Sequence, residues 1–160
     1  MSADPQPTPN VTGVAALLMI TSMERSLAFY VDGLGFTVQN RWIPDGQLRW
    51  VWMSLGEAAL MLQVAMPATR EKLAANGTLG NGSSLYFQCK DAIAIYREAA
   101  SRGVYALREP QVGNFSWEVF FADPDGYKIN FSSPTNVPEE TLLSEIERRE
   151  LASSNESNQA

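Results

Sequence analysis

The order of predicted elements is repeated along the chain, and this repeat constrains the fold more than any other feature. In residues 13–66 an apolar run of strand length, Val14–Ile20, precedes an amphipathic helical pattern that stops at Gly33 and Gly35. Residues 84–133 begin the same way, with a strand-like run and then Asp91 as the predicted N-cap of a helix. Neither unit is large enough to bury a sheet face well by itself, so the two should pack as a pair.

Three further strand-like runs complete each unit, which gives the order β-α-β-β-β twice. The six runs are Phe36–Trp42, Leu48–Ser54, Ala58–Val64, Val104–Leu107, Phe115–Ala122 and Tyr127–Phe131. Turn-forming residues separate them, most clearly in the segment Asp123-Pro124-Asp125-Gly126. The pattern therefore predicts an α+β fold made of two tandem βαβββ modules.

The segments outside the modules have other compositions. Residues 1–12 are polar and Pro-rich and are predicted to be disordered, and residues 67–83 form a linker with a short helical stretch and a Gly/Asn-rich part. Residues 134–160 are predicted to hold an amphipathic helix, Glu139–Leu151, and a disordered tail from Ser153 onward.

Composition excludes several classes of function. The chain has 160 residues, a formal net charge of −6, one Cys and no His. Without His the usual neutral general base and the imidazole ligands of most catalytic metal sites are missing. A slightly acidic chain without a basic stripe is not expected to bind nucleic acid. No apolar run is long enough for a membrane helix and no signal peptide is recognised, so a cytoplasmic protein without a membrane partner is expected.

Two motifs on this duplicated frame resemble those of a known family. The segment Ser26-Leu27-Ala28-Phe29-Tyr30 and the segment Asp123-Pro124-Asp125-Gly126-Tyr127 resemble motifs of the vicinal oxygen chelate superfamily, which includes glyoxalases, dioxygenases and bleomycin resistance proteins. The resemblance spans about residues 13 to 133. It implies two curled half-barrel sheets around a cavity, with the cavity commonly completed in a homodimer.

The resemblance also identifies where metal-dependent relatives hold their ion. The four matching positions in this chain are Ala15, Gln63, Ser84 and Asn130, and none of them is His, Asp or Glu. Because no anionic ligand remains to offset dehydration of a divalent ion, we expect no metal and no other cofactor. The chain then resembles the metal-free, bleomycin-resistance-like branch.

The expected ligand-binding residues are of two kinds. Gln63, Ser84 and Asn130 are neutral donors and acceptors that would converge on the cavity, or would bind one another in a filled core. Aromatic side chains on the middle strands, Trp50, Trp52 and Trp117, would stack on a planar or cationic ligand, or would form core or subunit interface.

Three hypotheses for function follow. The first is a protein that binds a small organic molecule, an antibiotic or a metabolite, and sequesters or carries it. The alternative is a metal-independent isomerase or lyase that uses Glu118 as its acid/base, although Glu118 also fits a solvated strand position. The third is a structural partner module that docks through the helix Glu139–Leu151. Cys89 is predicted to be a buried strand thiol, with a reactive thiol beside Lys90 as the alternative.

Overall fold

The computed structural model describes residues 13–75 and 77–157 and contains two modules of the predicted order. The strands of the first module are β1 (Ala16–Ile20), β2 (Thr37–Trp42), β3 (Trp50–Leu55) and β4 (Ala58–Val64). Those of the second module are β5 (Ser84–Gln88), β6 (Gln111–Gly113), β7 (Ser116–Ala122) and β8 (Lys128–Pro134). The helices are α1 (Met23–Leu27), α2 (Pro67–Ala74), α3 (Ala92–Ser101) and α4 (Leu143–Ser157).

The two sheets have the same topology. The strand order is β1-β4-β3-β2 in the first sheet and β5-β8-β7-β6 in the second, and the first strand of each module lies parallel to the last. Within the described residues no strand of one sheet is hydrogen-bonded to a strand of the other, so the sheets do not close into a barrel. The predicted α+β fold with two tandem βαβββ modules is confirmed.

The helices begin at equivalent positions in the two modules. The Ser22 hydroxyl accepts a hydrogen bond from the Arg25 backbone N–H, and the Asp91 carboxylate accepts one from that of Ala94. Each cap satisfies one of the free amides at a helix N-terminus. Asp91 is the predicted cap. In the first module Thr21 and Ser22 are both of residue types that favour an N-cap, and Ser22 takes the position.

The first helix differs from the second in its last turn, because α1 continues as a π-helical turn over Ala28–Gly33. Phe36 N–H donates to the Tyr30 carbonyl at 2.9 Å, six residues back, whereas Val104 N–H donates to the Ala99 carbonyl at 2.9 Å, five residues back. The π turn therefore accommodates one extra residue. These bonds also show that Tyr30 and Ala99 occupy equivalent positions.

Both modules contribute to one hydrophobic core. Its largest fully buried side chains are Tyr30, Phe36, Phe121 and Phe131. The end of β1 is tied to the β7–β8 hairpin, since the Thr21 hydroxyl donates to Asp125 at 2.6 Å and the Tyr127 hydroxyl donates to the Met19 carbonyl at 3.0 Å. The modules thus pack as a pair, as the repeat predicts.

Two sequence-based boundaries are wrong. The strand predicted at Val104–Leu107 is irregular, and the short strand β6 is the edge strand instead. The last helix begins at Leu143 rather than Glu139, because the preceding residues pair with β6. Val112 N–H donates to the Thr141 carbonyl, and Glu140 N–H donates to the Val112 carbonyl.

The helical stretch predicted in the linker is confirmed as α2, whereas the Gly/Asn-rich part of the linker and the tail are more ordered than expected. Residues 67–83 contain α2, and Gly80 is buried where its Cα lies directly against the backbone of Gly126. Residues 153–157, predicted to be disordered, continue α4. The predicted disorder of residues 1–12 and 158–160 falls outside the described residues. Among the helices of the described part of the chain, none has the length and apolar character needed to cross a membrane.

Candidate functional site

Each sheet has one face in the core and one face turned away from it. In the first sheet the core face carries Leu18, Ile20, Val51, Met53, Leu60 and Leu62, which are buried. The strand alternation places another set on the opposite side. We call this set the open face of the first sheet: Leu17, Met19, Trp42, Trp50, Trp52, Met61 and Gln63.

Gln63 lies at the centre of this open face. It is directly opposite Trp50 on β3 and beside Met19 on β1, and Trp50 is in turn opposite Trp42 on β2. Trp42 is 56% exposed. Within the described part of the chain, the Gln63 side-chain amide makes no hydrogen bond, so both its donor and its acceptor remain available to a ligand.

The open face of the second sheet is more polar. It consists of Ser84, Tyr86, Gln88, Ser116, Glu118, Phe120, Asn130 and Ser132. A shallow cavity of about 330 Å³ lies on this face, with Glu118 and Tyr86 in its wall. At the rim, the Arg108 guanidinium lies 4.4 Å from the centre of the Phe120 ring, which is a cation–π contact.

Asn130 is the most buried polar residue of this second open face. It lies between Tyr86 and Phe120, its partners on the neighbouring strands, and is only 1% exposed. Its Nδ2 donates to the Ser84 hydroxyl at 2.7 Å, whereas its Oδ1 is buried without a partner among the described residues. An unsatisfied buried acceptor costs about 1–3 kcal/mol, so this atom favours a bound donor from water or a ligand.

Glu118 extends over the strand β6. A Cβ atom added to Gly113 would lie 2.9 Å from Glu118 Oε2, so the glycine leaves the space that the carboxylate occupies. The carboxylate has no ion-pair or hydrogen-bond partner in residues 13–75 and 77–157. Glu118 is partly exposed and faces the cavity, where it can meet a cation or a proton donor.

The four positions predicted to match the metal ligands of relatives, Ala15, Gln63, Ser84 and Asn130, do not suit a metal ion. Ala15 has no donor atom, and Ser84 and Asn130 are hydrogen-bonded to each other. Among the described residues there is no group of three or more His, Cys, Asp or Glu side chains that could hold an ion. The donor set present here lacks the anionic ligands that offset dehydration of a divalent cation.

The structure brings together some of the predicted site residues and separates others. Gln63, Trp50 and Trp52 share the open face of the first sheet, and Ser84, Asn130 and Glu118 share that of the second. The two groups do not meet within one chain, because they lie on different sheets.

Trp117 lies on the other side of β7 from Glu118 and packs against the hydrophobic core. Its predicted place in the ligand site is therefore corrected, because successive residues of a strand point to opposite faces.

Sequence reasoning left out Tyr86 and Phe120, which flank Asn130. They could have been found from the sequence, because Tyr86 is two residues from Ser84, Phe120 is two residues from Glu118, and alternate residues of a strand share a face. Cys89, predicted to be a buried strand thiol, is only partly buried and directly follows β5. Burial raises its pKa, and its S–H group donates to the Ser132 carbonyl at 3.4 Å.

The chain matches one protein family over most of its length. The model of the Glyoxalase/Bleomycin resistance protein/Dioxygenase superfamily matches residues 13–131. No curated protein sequence matches the chain.

Several solved structures share the fold. TnmS3, an antibiotic binding protein from Streptomyces sp. CB03234, is 20% identical with a TM-score of 0.62, covering 80% of this chain and 100% of the other. A bleomycin-binding protein in complex with bleomycin is 19% identical with a TM-score of 0.57, covering 77% and 98%. A glyoxalase/bleomycin resistance protein from Streptomyces sp. CB03234 is 20% identical with a TM-score of 0.58, covering 74% and 97%.

Proposed function

Because the chain belongs to the glyoxalase/bleomycin resistance protein/dioxygenase superfamily, we propose that it binds a small planar organic molecule and sequesters it without breaking a bond. An antibiotic or an aromatic metabolite is the ligand class. The proposal is supported by two structural neighbours, one an antibiotic binding protein and the other a bleomycin-binding protein.

The observation that carries the proposal is the open face of the first sheet. Trp50 lies directly opposite Gln63, whose side chain has no partner within the described residues, and Trp42 and Trp52 share the same face. Tryptophan rings provide a large rigid surface for stacking, and an amide can orient a ligand without requiring that the ligand be charged. A face of this kind binds planar molecules with polar edges.

In the proposed complex a second copy of the chain completes the site. The open face of the first sheet of one protomer would lie against the open face of the second sheet of its partner, with the ligand between them. This arrangement would join the tryptophans to Glu118 and Asn130, which one chain alone holds apart. The unsatisfied Asn130 Oδ1 would then accept a hydrogen bond from the ligand.

We further propose that binding is independent of metal. The positions Ala15, Gln63, Ser84 and Asn130 offer an alkyl group, a hydroxyl and two amides. Ligand recognition would therefore depend on stacking and on neutral hydrogen bonds. Chelator treatment should leave affinity unchanged.

Titration with bleomycin and with planar aromatic antibiotics, followed by tryptophan fluorescence, tests the proposal. For a ligand that binds, Trp50→Ala should weaken affinity about 30-fold or more, since binding hot spots, which are enriched in Trp, cost about 2 kcal/mol or more when truncated to Ala. Trp117→Phe is the matched control, because Trp117 lies on the core side and should change stability rather than affinity.

The rival function is an isomerase or lyase with Glu118 as acid/base, and the position of its carboxylate in the cavity wall favours that candidate over other residues. Mass spectrometry of a bound ligand distinguishes the two functions. Recovery of unchanged ligand supports sequestration, whereas turnover that is lost in Glu118→Gln would replace it with catalysis.

A further inference from the structure

A second cavity, of about 400 Å³, lies at the junction of the two modules, away from Trp50 and Glu118. Its apolar wall is formed by Phe87, Ile95, Ala99 and Phe131, and the β3–β4 hairpin at Gly56 and Glu57 closes one side. Phe87, Ile95, Ala99 and Phe131 belong to the hydrophobic core or pack against it. The cavity is therefore on the core side of the second sheet, and Gln88 is the one residue of the two open faces, as defined above, that also lines it.

The opposite junction, which the internal repeat makes equivalent, is filled. There the β7–β8 hairpin of the second module lies over the helix of the first, and two tyrosines occupy the space. Tyr30 is fully buried and donates from its hydroxyl to Asp123 on the hairpin at 2.9 Å. Tyr127 is 9% exposed and donates to the Met19 carbonyl.

The missing tyrosine ring accounts for part of the cavity. Ala99 occupies the position in α3 that Tyr30 occupies in the first helix. The Ala99 carbonyl accepts the backbone N–H of Val104, just as the Tyr30 carbonyl accepts that of Phe36. An alanine there leaves the volume of a phenol ring unfilled. Protein interiors are close-packed, so a cavity of this size is unusual. Its wall includes the stacked rings of Phe87 and Phe131, whose centres lie 5.3 Å apart, and a concave apolar wall of this kind is typical of small-molecule binding sites.

The hairpin supplies the polar group for such a ring. Glu57 lies in the turn between β3 and β4 and lines the cavity, so it is a carboxylate on the hairpin of the first module, although not at the position that Asp123 has directly after β7. In residues 13–75 and 77–157 Glu57 has no ion-pair or hydrogen-bond partner. The other charges on the rim are engaged, because Arg102 pairs with Glu98 at 3.6 Å and also donates to the Gly33 carbonyl.

We propose that this junction cavity is a second ligand site, selective for a one-ring phenol. The ring replaces the side chain that Ala99 lacks, and the hydroxyl donates to Glu57. A neutral phenol fits better than an anionic aromatic acid, because the free charge at the rim is a carboxylate.

The test uses p-cresol, which is the side chain of tyrosine as a free molecule, added to the isotopically labelled full chain and followed by NMR. Saturable shifts at the amides of Gly33, Gly56 and Ala99 are expected. Ala99→Phe should abolish them, whereas Ala152→Phe, a control on an exposed part of α4, should retain them. Absence of saturable shifts, or shifts confined to the faces that carry Trp50 and Glu118, would overturn the proposal.

A second variant keeps the test decisive if Ala99→Phe does not fold. Glu57 is exposed on a hairpin, so Glu57→Ala should leave the fold intact. It should weaken p-cresol binding about three-fold or more and leave toluene binding unchanged, because only the phenol donates a hydrogen bond. Equal affinity for p-cresol in Glu57→Ala and wild type would refute the assigned orientation and with it the phenol selectivity.

Discussion

The hydroxyl of Tyr30 donates a 2.9 Å hydrogen bond to Oδ2 of Asp123 and so joins the helix of the first module to the hairpin of the second. Oδ1 of the same carboxylate accepts the backbone N–H groups of Asp125 and Tyr127, at 2.9 and 2.8 Å. Asp123 therefore shapes the tight turn and links the modules. Burial raises the pKa of Asp123, and these hydrogen bonds act in the opposite direction.

We expect Tyr30→Phe to destabilise the protein by about 1–3 kcal/mol, because it removes one hydrogen bond to a buried carboxylate and leaves an oxygen without its donor. Urea denaturation measures the free energy of unfolding. Tyr105→Phe is the matched control, since Tyr105 is 74% exposed. Equal stability of the two variants would show that the bond between the modules contributes little.

Alkaline pH should destabilise the fold through the buried tyrosines. Burial is the largest cause that raises the pKa of Tyr30 well above its ordinary value, with Asp123 adding to the effect, and burial also raises that of Tyr127. Since a tyrosine in the unfolded chain ionises near pH 10, stability is present below that pH and falls as pH rises above it.

The measurement for this pH dependence is phenolate absorbance recorded together with circular dichroism. The phenolate signal of Tyr30 should develop only as the fold is lost, and Tyr30→Phe should remove that portion of the signal. Ionisation of all five tyrosines with the fold intact would contradict the prediction.

Ser84→Ala should cost about 1–3 kcal/mol of stability, because it leaves the buried Nδ2 of Asn130 without an acceptor. Ser101→Ala is the comparison, since the Ser101 hydroxyl donates to a backbone carbonyl on an exposed helix end. Thermal unfolding of both variants checks this. A loss for Ser84→Ala no larger than that for Ser101→Ala would mean that water replaces the hydroxyl.

Gly80→Ala should destabilise the protein by about 1–3 kcal/mol through overpacking. The new methyl group would overlap the backbone of Gly126 in the β7–β8 hairpin, and backbone cannot move aside as a flexible side chain can. Gly13→Ala is the control, because nothing lies within 4 Å of the added atom there. Chemical denaturation compares the two, and similar midpoints would show that the linker does not dock on the hairpin.

The repeat of elements, the N-cap at Asp91 and the two faces of β3 could be predicted from the sequence, because they depend on local spacing. The sequence alone could not decide whether Thr21 or Ser22 is the N-cap of α1. Thr21 is engaged by Asp125, more than a hundred residues later, which leaves the cap to Ser22. Likewise Val104–Leu107 has a strand-like composition, but β6 takes the place at the sheet edge.

For the candidate site, too, the sequence predicts which residues share a strand face but not which face is buried. Alternation along β7 separates Trp117 from Glu118, yet only the packing of α3 against this sheet shows which of the two faces the core. The predicted equivalence of Gln63 and Asn130 in the two modules is wrong. Met19 and Gln88 each lie three residues before the N-cap of their helix, and their partners on the last strands are Gln63 and Ser132. Sequence spacing alone does not show this register. It also does not reveal that the side chains of Gln63 and Asn130 lie on separate sheets, because the arrangement of modules depends on contacts between distant residues.

The segment before α4 has a consequence for how copies of the chain can associate. This segment covers the outer edge of the second sheet through backbone hydrogen bonds to Val112. The corresponding edge of the first sheet is β2, whose register is irregular between Val38 and Asn40 and which carries the charged Arg41. Covered, bulged and charged edges resist the addition of a further strand from another molecule. These two edges therefore disfavour open-ended growth into fibres, and a pairing through the open sheet faces can stop at two copies.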